Sequence, residues 1–168
     1  MSKTTFTVGE DKRTLTAERT FAAPQTKLWQ AFADPAKLAR WWGPRGWETE
    51  IKHMDFQKGG YWHYGMKCVD PAQGDWFGKV SWGKGTFGTV HPQDLFEYVD
   101  AFCDEHGVVT PGMPVATTTM RFAEKAGATK VTSTTVYPTA EALSQVLNMG
   151  MEQGFSETWD RLDEFVTK

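Results

Sequence analysis

The sequence predicts an α+β fold in which one curved antiparallel sheet wraps around a long C-terminal helix. The last stretch, Thr139 to Val166, places its apolar residues on one side when set out at 100° per residue. The strand-like segments before it follow one another through short turns, as in an antiparallel meander. Glycines interrupt several of these segments, as expected of a strongly bent sheet.

Length and composition indicate one folded domain. The chain has 168 residues, 40% of them hydrophobic and 14% aromatic, which is enough to build a core. Residues 1–12 are polar and are expected to be flexible, so the single domain is predicted to span residues 13–168. The net charge of −3 offers no basic surface for nucleic acid. No apolar run approaches the roughly 18 residues of a membrane span, and no signal peptide is apparent, so a cytoplasmic protein is expected.

The first elements are predicted to be a strand and two short helices. Residues 13–21 alternate between apolar and polar side chains, as a half-buried strand does. Pro24 then suits the first position of a helix, where its missing N–H has no cost. Asp34 is a suitable N-cap for a second helix that starts at Pro35, and Gly43 with Pro44 ends that helix.

The middle of the chain is predicted to add further strands, which brings the sheet to about six or seven. The segments with strand-like composition and turn residues at their ends are 47–56, 61–68, 76–90, 95–103, 115–123 and 129–137. The glycines at 83, 85 and 88 fall inside the third of these segments and indicate bulges or sharp bending.

The terminal helix has an unusual pair of glycines. Thr139 is a plausible N-cap, because its hydroxyl can accept from an unpaired amide of the first turn. Gly150 and Gly154 lie four residues apart on or beside the apolar side, although a glycine in a helix costs about 1 kcal/mol relative to alanine. We therefore expect a sheet or a bound molecule to approach this helix closely.

A cavity between the sheet and this helix is the first candidate site. Aromatic rings and methionine side chains adapt well to flat or irregular apolar guests. The residues predicted to line the cavity are Trp41, Trp62, Tyr64, Met66, Phe96, Tyr98, Phe102, Met120, Met151 and Phe155. Trp41 and Trp42 are placed at its mouth. The alternative is a filled core, which would use the same residues.

Catalytic and metal-binding patterns are sparse. Tyr64 and Asp100 are the candidate acid–base pair, since an inward-facing Asp100 would have a raised pKa and could act as a base. In the alternative, Asp100 lies at the rim and accepts hydrogen bonds from a turn. His53 and Asp55 share a strand face, but the sequence has no spacing typical of a zinc site, so no metal and no cofactor are predicted.

A protein-binding surface is a further candidate. Trp47, Trp76 and Trp82 would form an apolar patch if they are exposed. Cys68 and Cys103 do not form a disulfide framework and are interpreted as small apolar strand residues.

Four segments match a known family in order and spacing, and together they span almost all of the chain after residue 13. These are FAAPQTKLWQAFADPAKLARWWGP (21–44), DFQKGGYWHYGM (55–66), GTFGTVHPQDL (85–95) and MGMEQGFSETWDRL (149–162). The chain resembles the helix-grip superfamily of START and birch-pollen-allergen-like domains. Within it, the chain is most similar to stand-alone bacterial proteins related to the C-terminal domain of the Hsp90 ATPase activator.

The resemblance implies a helix-grip fold, but several functions, because one fold hosts many activities. Members of the superfamily include carriers of apolar ligands, polyketide cyclases and aromatases, and co-chaperone domains. Our leading hypothesis is a protein that binds a small apolar or aromatic molecule in the cavity. A cyclase-type enzyme, a chaperone partner and a homodimer are the alternatives.

Overall fold

The structure, a computed structural model, describes residues 3–168. All eight strands form one antiparallel sheet in the order β1-β2-β8-β7-β6-β5-β4-β3. The strands are β1 Thr5–Val8, β2 Thr14–Phe21, β3 Trp47–Met54, β4 Tyr61–Cys68, β5 Val80–His91, β6 Leu95–Phe102, β7 Ala116–Lys125 and β8 Ala128–Val136. The helices are α1 Gln25–Ala33, α2 Pro35–Trp41, α3 Ala140–Asn148 and α4 Met151–Val166. The predicted α+β class, with a C-terminal helix and two short helices early in the chain, is confirmed.

The N-terminal segment contains a strand that the sequence analysis missed. Thr5–Val8 pairs antiparallel with β2 and extends the edge of the sheet, so the sheet has eight strands rather than six or seven. The expectation that residues 1–12 are flexible is therefore corrected for Thr5–Val8. For Met1 and Ser2 the expectation falls outside the described residues. Phe6 packs edge-on against Phe155 of α4, with 5.6 Å between ring centroids. That contact joins the new strand to the terminal helix.

Helix α2 starts where its capping residue predicts, and α1 starts one residue later than predicted. Asp34 accepts a hydrogen bond from the amide of Ala36 at 2.9 Å, and Pro35 occupies the first turn of α2. Helix α1 begins at Gln25, directly after Pro24. Both helices bury their apolar residues in the main hydrophobic core, among them Trp29 and Phe32 of α1 and Trp41 of α2.

Strand β5 starts later than predicted. Residues 71–76 form a short 3₁₀ helix, in which Asp70 caps the amide of Ala72 and Pro71 takes the first turn. Trp76 therefore lies outside the sheet. The predicted irregularity is present, because the β5–β6 register shifts between Phe87 and Val90.

The terminal helix is divided in two, where one continuous helix was predicted. Gly150 has φ +84°, a left-handed backbone conformation that ends α3 and precedes α4. Thr139 caps α3 as predicted, by accepting from the amide of Ala142 at 3.0 Å. A glycine is therefore needed at position 150 because of its backbone conformation, and not because another group lies close to it.

Within residues 3–168, none of the helices has the length and apolar composition needed to cross a membrane.

Candidate functional site

A cavity of about 360 Å³ lies between helix α4 and strands β4, β6, β7 and β8. We call it the α4 cavity. It is lined by Trp42, Gly43, Pro44, Tyr64, Met66, Tyr98, Asp100, Ala116, Thr118, Met120, Ser133, Thr135, Tyr137, Met151, Gly154, Phe155, Thr158 and Trp159. Its volume is within the range of small-molecule sites, which begins at about 300 Å³.

Gly154 helps to keep this cavity open. A Cβ atom added at this residue would meet no other group within 4 Å, so the helix faces empty space there. Met151, about one turn before Gly154, and Phe155, directly after it, are only partly buried. No strand or side chain among the described residues approaches Gly154 closely, so of the two expected neighbours only a bound molecule remains. The glycine removes a side chain where the cavity needs room.

Asp100 and Tyr64 meet at the polar end of the cavity. Tyr64 Oη donates a hydrogen bond to Asp100 Oδ1 at 3.3 Å. Burial raises the pKa of Asp100 to about 7, although hydrogen bonds from Tyr64 and from the backbone of Ala101 oppose this shift. Near neutral pH, Asp100 is thus present both as a neutral acid and as a carboxylate.

Two further tyrosines lie close to this carboxyl group. Burial raises the pKa of Tyr98 and of Tyr137, and the negative charge of Asp100 raises both further. Burial likewise raises the pKa of Tyr64 well above its usual value. All three phenols therefore stay protonated and can act as hydrogen-bond donors in the neutral pH range.

A glycine in the neighbouring strand makes room for Tyr64. Tyr64 of β4 is paired with Gly83 of β5, and a Cβ at Gly83 would collide with the phenol ring. Gly85 stands in a similar relation to Trp62 and Tyr98, with a Cβ placed 3.2 Å and 3.1 Å from their rings. The glycines of β5 thus allow aromatic side chains to lie across the sheet, in addition to the bend that they were predicted to cause.

Small polar residues form another part of the wall. Thr118 of β7 and Thr135 of β8 share a hydrogen bond of 2.9 Å between their hydroxyl oxygens. Ser133, two residues before Thr135 on the same strand face, also lines the cavity and is buried. The cavity is therefore apolar around Met151 and Phe155, and polar toward the sheet.

Arg161 of α4 holds the loop at the mouth of the cavity. Its Nη1 donates to the carbonyl oxygens of Gly43 at 2.7 Å and of Trp47 at 3.1 Å. Longer bonds of 3.3 Å reach the carbonyls of Trp42 and Pro44. Since Trp42, Gly43 and Pro44 line the cavity, this guanidinium determines where one of its walls lies.

The structure brings together six of the ten predicted cavity residues. The six that line the α4 cavity are Tyr64, Met66, Tyr98, Met120, Met151 and Phe155. Asp100, the candidate base, lines it as well. The sequence left open whether these residues line a cavity or fill the core. Both alternatives apply, each to a different part of the interior, because the remaining predicted residues do not line this cavity.

Three of the other four predicted residues belong to the filled core. Trp41 is fully buried and donates from Nε1 to the carbonyl of Ala31 at 2.9 Å. Trp62 and Phe96 border only a void of about 10 Å³, which is the size of one water molecule. Phe102 is 49% exposed and borders a second, smaller space of about 170 Å³ next to the α4 cavity.

Of the two tryptophans predicted at the mouth, Trp42 lines the cavity and Trp41 does not. Four lining residues on the sheet side were not predicted: Thr118, Ser133, Thr135 and Tyr137. A signal for Thr118 was present, since it lies two residues before the inward-facing Met120 on the same strand.

The other candidate sites have less support. Within residues 3–168, no three His, Cys, Asp or Glu side chains come together in a way that could hold a metal ion. Cys68 and Cys103 are both buried free thiols. The surface patch was predicted to contain Trp47, Trp76 and Trp82. Trp76 is 59% exposed, and its ring lies 6.3 Å from that of Trp47, whereas Trp47 and Trp82 are half-buried.

A family model described as Activator of Hsp90 ATPase homolog 1-like protein matches residues 22–167. No curated protein matches the chain. The family match covers most of the described chain, including every residue that lines the α4 cavity, and it agrees with the resemblance carried by the four sequence segments.

Solved structures with the same fold come from several bacteria. Protein Ms6760 from Mycobacterium smegmatis is 33% identical, with 98% of this chain and 96% of that chain covered and a TM-score of 0.85. A protein from Arthrobacter aurescens is 26% identical, with 97% and 91% covered and a TM-score of 0.86. A protein from Staphylococcus epidermidis is 27% identical, with 96% and 93% covered and a TM-score of 0.82.

Proposed function

This chain belongs to the family of Activator of Hsp90 ATPase homolog 1-like proteins, and from that premise and its interior we propose that it binds a small apolar or aromatic molecule in the α4 cavity. The observation that carries the proposal is the empty space of about 360 Å³ beside Gly154. A well-packed protein interior contains few voids larger than a water molecule, so a space of this size is a candidate binding site.

The lining suits a guest that is mostly apolar and carries one or two polar atoms. Trp42, Met66, Met120, Met151 and Phe155 offer adaptable apolar contacts. Hydroxyl groups and one carboxyl group stand on the sheet side, where they can orient the guest. Specific small-molecule sites commonly combine an apolar wall with a few convergent polar groups in this way.

A second candidate is an enzyme that uses Tyr64 and Asp100 as an acid–base pair. It is favoured by their contact inside the cavity and by the pKa of Asp100 of about 7, which suits proton transfer near neutral pH. Binding is the broader proposal, since any such reaction would take place on a molecule held in the same cavity.

A chaperone partner has separate support. The family's description names an Hsp90 activator, and the surface presents Trp76, which is 59% exposed and lies with its ring 6.3 Å from that of the half-buried Trp47. A homodimer is a prediction that no observation in the structure favours over the others.

Ligand binding can be tested by fluorescence, because Trp42 and Trp159 line the cavity. We expect a panel of fatty acids, sterols and two-ring aromatics to include compounds that quench tryptophan fluorescence and raise the melting temperature. A ligand at one hundred times its Kd stabilises the folded state by about 2.7 kcal/mol, which a melting curve resolves.

The matched control is a variant with the cavity filled. Gly154→Leu directs a side chain into the empty space, whereas Gln153→Leu adds the same side chain to the exposed side of α4. We expect Gly154→Leu to abolish the response and Gln153→Leu to keep it. If no compound acts on the wild type, or if both variants respond as the wild type does, the proposed function is wrong.

A further inference from the structure

Asp100 differs from every other residue around the α4 cavity. Among the described residues that line it, Asp100 is the only Asp, Glu, Lys, Arg or His. No Lys, Arg or His within residues 3–168 forms an ion pair with it. The cavity therefore presents one isolated carboxyl group and no compensating cation.

The hydrogen-bonding capacity of this carboxyl group is largely unused. A carboxylate can accept about four hydrogen bonds. Here the partners are the hydroxyl of Tyr64, at 3.3 Å, and the backbone amide of Ala101. Leaving a partly buried carboxylate so poorly paired is unfavourable, and a cationic donor supplied by a ligand would relieve that cost.

Aromatic side chains lie near Asp100 and line the same cavity. Tyr64, Tyr98 and Tyr137 all lie close enough to Asp100 for its charge to raise their pKa. The ring of Trp42 lies 5.8 Å from that of Tyr64. Faces of aromatic rings attract cations, and organic ammonium ligands are commonly recognised by such rings. A carboxylate beside them would add a charge-assisted hydrogen bond.

We propose that the α4 cavity selects apolar or aromatic molecules that carry a protonated amine, which Asp100 receives as an ion pair. This inference rests on the proposed function and narrows it to a ligand class. The same arrangement disfavours fatty acids and other carboxylates, because a second negative charge beside Asp100 would be repelled in a poorly solvated space.

Ion pairing predicts a link between ligand binding and the proton on Asp100. A bound ammonium ion lowers the pKa of Asp100 from its value of about 7, so binding at neutral pH releases protons. The titratable groups that face Asp100 are Tyr64, Tyr98, Tyr137 and Cys103, and the pKa of each is raised. None of them loses its proton between pH 6 and 8, and the lining residues of α4 carry no charge.

The test compares three probes with the same ring system. Calorimetry would measure the binding of 2-naphthylmethylamine, 2-naphthalenemethanol and 2-naphthoic acid at pH 6 and pH 8, in two buffers with different ionisation enthalpies. We expect the amine to bind about tenfold or more tightly than the alcohol at pH 8, and the acid to bind most weakly. The affinity of the amine should rise about tenfold from pH 6 to pH 8, as the ionised form of Asp100 becomes populated.

Two variants separate the ion pair from the cavity itself. Asp100→Asn keeps the shape but removes the charge, and should bring the amine down to the affinity of the alcohol. Asp75→Asn removes an exposed carboxylate elsewhere and should change nothing. If Asp100→Asn fails to fold, the buffer dependence of the wild type still decides, because proton release on binding the amine is expected only from an ion pair with Asp100.

The outcomes also distinguish the two proposals. Equal affinities for amine and alcohol, without proton release, would overturn the amine selectivity and leave the proposed function standing. Tighter binding of the acid would overturn it as well. If none of the three probes nor any compound of the broader panel binds, both proposals fail.

Discussion

Tyr64 Oη and Asp100 Oδ1 are joined by a hydrogen bond of 3.3 Å inside the α4 cavity, across the strand that separates β4 from β6. Gly83 of that intervening strand leaves room for the phenol ring to reach over it. The pair therefore depends on three adjacent strands. It places an ionisable carboxyl group where solvent stabilises its charge poorly, and that placement has a consequence for folding.

The stability of the protein should decrease between about pH 4 and pH 7 through Asp100. Its pKa is raised from 3.8 to about 7 in the folded state, so in this range the folded chain keeps a proton that the unfolded chain has lost. The free energy of unfolding then falls as pH rises, by up to about 1.4 kcal/mol per pH unit, and levels off above pH 7.

Urea unfolding at pH 5 and pH 7.5 would measure this effect as a difference between wild type and Asp100→Asn. The variant lacks the ionisable group, so its stability should change less over this interval. Asp11, Asp104 and Glu164 have lowered pKa values, which place their own contributions at more acidic pH. Parallel pH profiles for the two proteins would contradict the prediction.

Gly150 and Gly154 should respond to alanine in opposite directions. Gly150 has φ +84° with no neighbour near its missing side chain, so alanine would cost about 1 kcal/mol of backbone strain alone. Gly154 lies within α4 and faces the cavity, so alanine should stabilise the helix by about 1 kcal/mol. Melting temperatures of the two variants would check this, and a shift of the same sign in both would contradict it.

The two glycines also show why local pattern is an incomplete guide. A glycine in an amphipathic stretch is compatible with a continuing helix and with a left-handed residue between two helices, since both preserve the apolar side. Asp34 and Thr139 were predictable as caps because their hydrogen bonds involve residues only two or three positions away. The break at Gly150 depends on how the second helix meets the sheet, which the local sequence does not encode.

The walls of the cavity were predictable to a similar, partial degree. Strand alternation placed Tyr64 and Tyr98 correctly on the inner face. The sequence pattern did not show which of Trp41 and Trp42 lines the cavity, because the direction in which each side chain points depends on where α2 ends. Thr118 was missed because only aromatic rings and methionines were taken as lining residues, although its spacing from Met120 places it on the inner face. Thr135 was missed because a threonine on a strand is compatible with either face until its partners across the sheet are known.

The stability of the protein should depend unequally on the two acidic partners of the buried Arg19. Its Nη2 donates to Asp163 Oδ2 at 2.9 Å and its Nη1 to Asp160 Oδ1 at 2.6 Å, which ties β2 to α4. The side chain of Asp163 is 10% exposed and that of Asp160 is 45% exposed. We expect Asp163→Asn to destabilise by about 3 kcal/mol and Asp160→Asn by about 1 kcal/mol or less.

Chemical denaturation of the two variants at low and high salt would test this ranking. The loss in Asp163→Asn should persist at high salt, since a buried pair is screened little, whereas the loss in Asp160→Asn should shrink. A larger loss in Asp160→Asn would show that burial does not determine the strength of this contact.

Arg161→Lys should loosen the mouth of the α4 cavity. The guanidinium of Arg161 donates to the carbonyls of residues 42, 43, 44 and 47, and its Nη2 also reaches the carbonyl of Arg40 at 3.3 Å. A lysine has no second nitrogen, so it cannot contact both the loop carbonyls that Nη1 reaches and the carbonyl of Arg40 that Nη2 reaches, and it lacks the planar group that holds both donors in place. We expect a loss of about 1–2 kcal/mol in stability and faster dissociation of bound 2-naphthalenemethanol, measured by stopped-flow tryptophan fluorescence.

The control is Arg45→Lys, in the same loop. The side chain of Arg45 is 51% exposed and pairs with the exposed carboxylate of Glu164, so the substitution should change stability by less than about 1 kcal/mol. Its effect on dissociation should be small, because Arg45 does not line the cavity. If Arg161→Lys and Arg45→Lys released the probe at the same rate as the wild type, the guanidinium of Arg161 would hold the loop for stability alone and would not affect how long a ligand stays bound.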